Sequence, residues 1–183
     1  MTRGDTLAVR VGRALRERAA RVAFAESCTG GTVAGRVIAV PGSSRYLVGG
    51  IVAYHNNAKV DLLQVPRAMV RRHGAVSAPV AAAMASGARR AFGADVAIAV
   101  TGIAGPGGGS PAKPVGLVYV AACGFGRTRC RRACFAGDRQ RVRDQAADLA
   151  LILLLEHLEE VPARKLRGSA GFSAARSAER AGG

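Results

Sequence analysis

The feature that most constrains the fold is the run 95-DVAIAVTG-102 and the loop that follows it, 105-GPGGGSPAKP-114. An exposed strand alternates apolar and polar residues, because its side chains point to opposite faces. This run does not alternate, so both of its faces must be covered, as in the buried parallel strands of α/β proteins. A second run of the same kind, 21-RVAFAE-26, ends in another polar and glycine-rich stretch, 27-SCTGG-31. Helical periodicity lies between such runs. Together they imply an α/β chain, a three-layer α/β/α sandwich around a mixed β-sheet.

The finer reading supports that frame. Residues 5–20 carry Leu7, Val11 and Leu15 on one helical stripe. A helix is expected over about 30–39, ended by Pro41-Gly42, then a strand over 46–54 and a short helix near Lys59–Leu63. Pro66 suits the first position of a short helix closed by His73-Gly74, and Ser77 suits the N-cap of a helix over 78–92. A strand at 116–122 is joined through a hairpin signal at Gly124–Thr128 to a partner at 129–135. Asp138 should cap a long helix reaching about Glu160. At Pro162 the composition changes to Arg, Ala, Ser and Gly with almost nothing to build a core. The expected organisation is one domain over 1–161 and a basic, disordered tail over 162–183.

The chain is strongly basic, with a formal net charge of +15. The arginines are spread from Arg3 to Arg180, through nearly every segment, with no aromatic platform for bases, so nucleic acid is not the expected partner. The four cysteines form no CxxC pair, which argues against a zinc ribbon. The start, MTRGDTLAVRVGR, has no apolar core of a secretion signal, and 149-LALILLL-155 is too short to span a bilayer. A cytoplasmic protein that does not enter membranes is expected.

The chemistry concentrates where the apolar runs end. Ser27 lies between a strand and a helix led by Gly30 and Gly31, where unpaired amides could receive an oxyanion. Read from the residues alone, Ser27 or Thr29 serves equally well as a helix cap. A serine nucleophile needs a base. None of the three histidines makes a convincing triad, whereas Lys59 is the first of only three lysines in a chain that otherwise uses arginine. Arginine stays protonated, but a buried lysine can act as a base. Tyr54, five residues earlier, could position a proton or substrate. The loop 101-TGIAGPGGG-109 with Lys113 suits a phosphate or is simply a connector. Arg139 and Arg143 could grip an anion or form a solvated face.

The ordered runs AESCTGG, VPGSSRYLVGGIVAYHNNAK, HGAVS, AVTGIAGPGGG, KPVG and GDR resemble the CinA C-terminal domain family, from about Leu7 to Leu158. Characterised members of that family are nicotinamide-nucleotide amidohydrolases. The resemblance implies hydrolysis of the carboxamide of nicotinamide mononucleotide (NMN) to the nicotinate nucleotide and ammonia. Ser27 would be the nucleophile, with Lys59 and Tyr54 as its catalytic partners. Thr29, Gly30, Gly31, Ser44, Thr101, Gly102, Gly105, Lys113 and Arg139 would bind substrate. No metal and no organic cofactor is implied. The expected partners are a small nucleotide substrate and further copies of the chain. Cys28 is a rival nucleophile, and a basic binding module that has lost its chemistry is a rival function.

Overall fold

The computed structural model describes residues 6–162. From residue 163 onward, the expected basic tail lies outside the described residues. Five strands form one mixed sheet: β1 (Val22–Glu26), β2 (Leu47–Val52), β3 (Val96–Gly102), β4 (Leu117–Gly124) and β5 (Arg127–Cys134). Their spatial order is β2-β1-β3-β4-β5. β1 runs parallel to both β2 and β3, whereas β4 and β5 add antiparallel strands. The six α-helices are α1 (Leu7–Glu17), α2 (Thr32–Ile38), α3 (Asn56–Asp61), α4 (Arg67–His73), α5 (Ala78–Phe92) and α6 (Arg139–Glu159). The α/β fold expected from the sequence is the fold observed.

The two faces of the sheet differ in side-chain size. Val96, Ile98 and Val100 of β3 join Val22 and Phe24 of β1 beneath α1, α2 and α6. Ala97 and Ala99 face the other way with Ala23 and Ala25, beneath α5. Every one of these residues is fully buried. Small residues on one face let α5 lie close to the sheet and to the segment after α3. That approach is tightest at Gly87, where a Cβ would stand 2.0 Å from the Leu63 carbonyl oxygen.

Local signals act mostly as read, with a few physical differences. Asp138 caps α6 by accepting from the Arg141 amide at 2.8 Å. Phe125 (φ 52°) and Gly126 (φ 78°) form a two-residue hairpin loop of the type I′ kind, so β5 starts earlier than the composition suggests. Ser77 occupies the N-cap position of α5, but its hydroxyl donates to the Gly74 carbonyl at 2.9 Å instead of accepting from the helix. Pro66 precedes α4 as its N-cap, and α3 begins at Asn56, where the His55 ring accepts from the Asn57 amide at 3.2 Å. Among the described residues, no helix is long and apolar enough to cross a membrane.

Helix propensity and packing make opposite predictions at Gly87. Alanine in a helix interior is favoured by about 1 kcal/mol over glycine. Overlap with the Leu63 backbone should cost more, about 1–3 kcal/mol. Gly87→Ala is therefore expected to lower the midpoint of denaturant unfolding, and an unchanged or raised midpoint would show that α5 can move away without penalty.

Candidate active site

The parallel strands β1, β2 and β3 end at the same edge of the sheet, and the loops leaving them enclose a cleft of about 270 Å³. Open α/β sheets offer ligand sites at this edge because the connections diverge there. Ser27, Cys28, Tyr54, Lys59, Thr101 and Arg139 are among the cleft's lining residues, together with Gly102 and Gly105. Among the described residues, no cluster of three or more His, Cys, Asp or Glu could hold a metal ion.

Ser27 follows β1 directly, and its amide donates to Val100 of β3 at 2.9 Å. The turn after it depends on Glu26, the last residue of β1, which is 2% exposed. One Glu26 carboxylate oxygen accepts from the Gly31 amide at 2.9 Å and the Val33 amide at 3.1 Å, and the other from the Ala34 amide at 2.8 Å. A negative charge thus sits against the partly positive start of α2 and takes up its orphan donors. Gly30 (φ 61°) and Gly31 (φ 95°) supply the left-handed backbone that folds the chain back onto this carboxylate. Arg143 ties the same turn to α6 by donating to the Thr29 carbonyl at 2.9 Å and the Thr32 hydroxyl at 3.2 Å.

Lys59 comes from α3 and is 2% exposed. Its Nζ lies 3.1 Å from Ser27 Oγ, 2.9 Å from the Ala53 carbonyl oxygen and 3.1 Å from that of Tyr54. Among the described residues no carboxylate pairs with it. Burial lowers its pKa from the ordinary lysine range, and the nearby Cys28 sulfur opposes that shift. Cys28, 6% exposed, is pushed up to about 11, chiefly by burial. Its thiol stays protonated at neutral pH, which weakens the case for it as nucleophile.

The structure separates the other expected site residues into two groups. Thr101, Gly102, Gly105 and Arg139 meet at the cleft. The Thr101 hydroxyl is already spent on the Ala75 carbonyl at 2.9 Å. Arg139 spans the rim, donating to the Gly105 carbonyl at 2.7 Å and the Tyr54 hydroxyl at 2.9 Å. Tyr54 is 60% exposed, and among the described residues its hydroxyl bonds to Arg139 and not to Ser27 or Lys59.

Five of the expected substrate-binding residues are not among the cleft's lining residues. The Gly31 amide is held by Glu26 and the Gly30 amide by the Ser27 carbonyl at 3.1 Å, so neither is free for an oxyanion. The Thr29 side chain is fully buried and turned away from the cleft lining. Lys113 donates to the carbonyls of His73 at 2.7 Å and Val76 at 2.8 Å, where it fastens the glycine loop to the α4–α5 connection instead of waiting for a phosphate. Ser44 is exposed on a short 3₁₀ turn that precedes β2, at the amino end of that strand, whereas the cleft lies at the carboxyl ends.

Glu26 is a position that the sequence reading passed over, and Arg143, read there as an anion grip or a solvated face, fastens the turn after Ser27. The signal for Glu26 was present as the one acid closing the otherwise apolar run VAFAE. Glu26→Ala leaves three amides without their acceptor, and each unpaired buried donor costs about 1–3 kcal/mol. The variant is expected to unfold at clearly lower denaturant concentration, and a midpoint matching the parent would show that water replaces the carboxylate.

With this geometry in view, the comparisons with known proteins are specific. The profile of the CinA C-terminal domain matches residues 4–158. A CinA-like protein of Citrifermentans bemidjiense is 53% identical over 149 residues, covering 81% of this chain and 36% of its own length. A CinA-like protein of Mycobacterium tuberculosis is 50% identical over 143 residues, covering 78% of this chain and 33% of its own. The chain thus spans little more than a third of the length of these relatives. Among solved structures, a competence damage-inducible protein A from Klebsiella pneumoniae superposes with a TM-score of 0.82 at 40% identity, covering 85% of this chain and 97% of its own. A competence/damage inducible protein from Agrobacterium tumefaciens gives a TM-score of 0.81 at 40% identity, covering 84% and 94%. The chain belongs to the CinA C-terminal domain family.

Proposed function

We propose that this protein is an amidohydrolase that cleaves the carboxamide of nicotinamide mononucleotide, releasing ammonia and the nicotinate nucleotide. The observation that carries the reading is the 3.1 Å approach of Lys59 Nζ to Ser27 Oγ, both buried at the floor of the cleft. A neutral amine has two N–H donors and one lone pair. The Ala53 and Tyr54 carbonyls accept the two donors, and the lone pair then faces the Ser27 hydroxyl. Burial favours that neutral form.

In the proposed sequence, Lys59 takes the Ser27 proton as Oγ attacks the amide carbon. The amides of Cys28 and Thr29, which follow Ser27, make no backbone hydrogen bond of their own and would receive the developing oxyanion. Lys59 returns its proton to the leaving nitrogen, ammonia departs, and water releases the acid from Ser27. Tyr54 contributes its carbonyl to Lys59 and its ring to the cleft wall. With Lys113 spent on carbonyls, Arg139 and the glycine loop remain to meet the substrate phosphate. Val52 (51% exposed) and Leu62 (55% exposed) are apolar groups left in solvent near the outer strand β2, which supports the expectation of a homo-oligomer.

Purified protein incubated with NMN should release ammonia. Ser27→Ala should lower that rate by about a thousandfold or more, because a nucleophile and its base act as a unit. Cys28→Ala should retain most of it. The reverse result would assign the nucleophile to Cys28, and no ammonia from the parent chain would leave the binding-module reading standing.

The pH profile follows from the sign of the Lys59 shift. Its pKa is lowered, so the neutral base persists to lower pH than an ordinary lysine would allow, and activity is lost as pH falls through that lowered value. Lys59→Arg, which keeps the charge but stays protonated, should lose activity at every pH. A flat profile from acid to neutral pH, or near-normal kcat in Lys59→Arg, would remove lysine as the base.

A further inference from the structure

A second cavity, of about 200 Å³, lies at the opposite edge of the sheet, lined by Arg89, Cys123, Gly124, Gly126, Arg127 and Thr128. Its place follows from the register. Val96, at the amino end of β3, pairs with Gly124, whereas Gly102 of the catalytic cleft pairs with Val118. The last turn of α5 brings Arg89 to the cavity, and the β4–β5 hairpin brings Arg127.

Both guanidinium groups have a buried Nε with no hydrogen-bond partner. Among the described residues, the Arg89 guanidinium makes no hydrogen bond or ion pair. Arg127 pairs through Nη1 with Glu160 at 3.0 Å and donates through Nη2 to the His157 carbonyl. Glu160 also serves Arg129, so one carboxylate answers two arginines there. The neighbouring acids are taken as well: Glu156 pairs with Arg131 at 2.8 Å, and Asp95 accepts from the Arg21 amide at 2.7 Å. His157, fully buried beneath the hairpin, has its pKa lowered by burial and supplies no counter-charge.

Two like charges therefore share a small cavity, each with an unused N–H and with no free carboxylate beside them. An oxyanion answers both deficits, because guanidinium N–H groups form their strongest hydrogen bonds to phosphate and carboxylate oxygens. An excess of two positive charges matches a dianion better than a monoanion, and the Thr128 hydroxyl offers a further donor at the mouth. We infer that the cavity between α5 and the β4–β5 hairpin binds a phosphate-class oxyanion, inorganic phosphate or the phosphate end of a small monoester, through Arg89 and Arg127. The site is separate from the catalytic cleft and does not depend on the reaction proposed for it.

Calorimetry of the full chain with inorganic phosphate, and in a second arm with glycerol phosphate, at constant ionic strength tests this. Saturable binding is expected in at least one arm, weakened tenfold or more by Arg89→Gln and also by Arg89→Lys, which keeps charge but loses Nε. Arg139→Gln, which removes a group proposed to meet phosphate at the catalytic cleft, should leave the Arg89-dependent binding unchanged. Cys123 reports the location: phosphate should slow its alkylation by iodoacetamide, mapped by mass spectrometry, in the parent chain and not in Arg89→Lys. Binding that survives both Arg89 variants, binding lost in Arg139→Gln instead, or no saturation in either arm overturns the inference. Should Arg89→Gln fold poorly, the Arg89→Lys comparison alone decides.

Discussion

The contact on which the cleft edge of the sheet depends is the Glu26 carboxylate against the first turn of α2. A strand that ends in a glutamate and a helix that begins with glycines would otherwise have many ways to meet. Three amide hydrogen bonds from Gly31, Val33 and Ala34 to one buried carboxylate remove that freedom. Ser27 is the residue between the two elements, so its direction is set by groups that do no chemistry themselves. Because Glu26 neutralises the helix start from inside the protein, α2 is not an open anion site. The Gly31 and Gly30 amides are already taken, by Glu26 and by the Ser27 carbonyl.

The second constraint is the buried amine. Lys59 is held by neutral partners only, two carbonyls and one hydroxyl. A carboxylate beside it would raise its pKa and keep it protonated, and among the described residues none pairs with it. The lowered pKa also has a consequence for stability. Between the folded value and the ordinary lysine value, the unfolded chain binds more protons than the folded one, so this group's contribution to stability grows as pH rises through that window. The site is a local liability that the packed sheet must carry. Fully buried valine, isoleucine and alanine on both faces of β3 supply that support.

The fold was legible because its strongest signals are one-dimensional. Unbroken apolar runs require cover on both faces, and Asp138 and the Phe125-Gly126 pair act within a few residues of themselves. Ser27 and Lys59 could be read for a related reason: a strand-to-glycine junction and a lysine spared among arginines are visible in the chain. What escaped the sequence was partner choice across space. Lys113 looks like a phosphate ligand beside a glycine loop until two backbone carbonyls, 40 and 37 residues away along the chain, claim its ammonium. Ser44 sits in a motif of the family, yet the turn that holds it lies at the amino end of β2, away from the cleft lining. Glu26 reads as the end of a strand because its partners lie five to eight residues ahead, past a turn.

The arginine-rich composition takes on different meanings once the partners are known. Arg36 bridges Asp144 at 2.8 Å and Asp148 at 2.6 Å and so joins α2 to α6, while Arg18 donates to the carbonyls of Leu158 at 2.7 Å and Val161 at 2.9 Å to hold the end of α6. Arg139 and Arg143 organise the catalytic edge. These side chains act as multidentate clamps, a task for which a planar fork of donors suits better than a lysine. Among the described residues the lysines are Lys59 and Lys113, and each ammonium meets two backbone carbonyls. Lys59 differs from the arginines in that its Nζ also reaches Ser27 Oγ, at 3.1 Å, and burial lowers its pKa. For these four arginines the positive charge serves to fasten helices and turns.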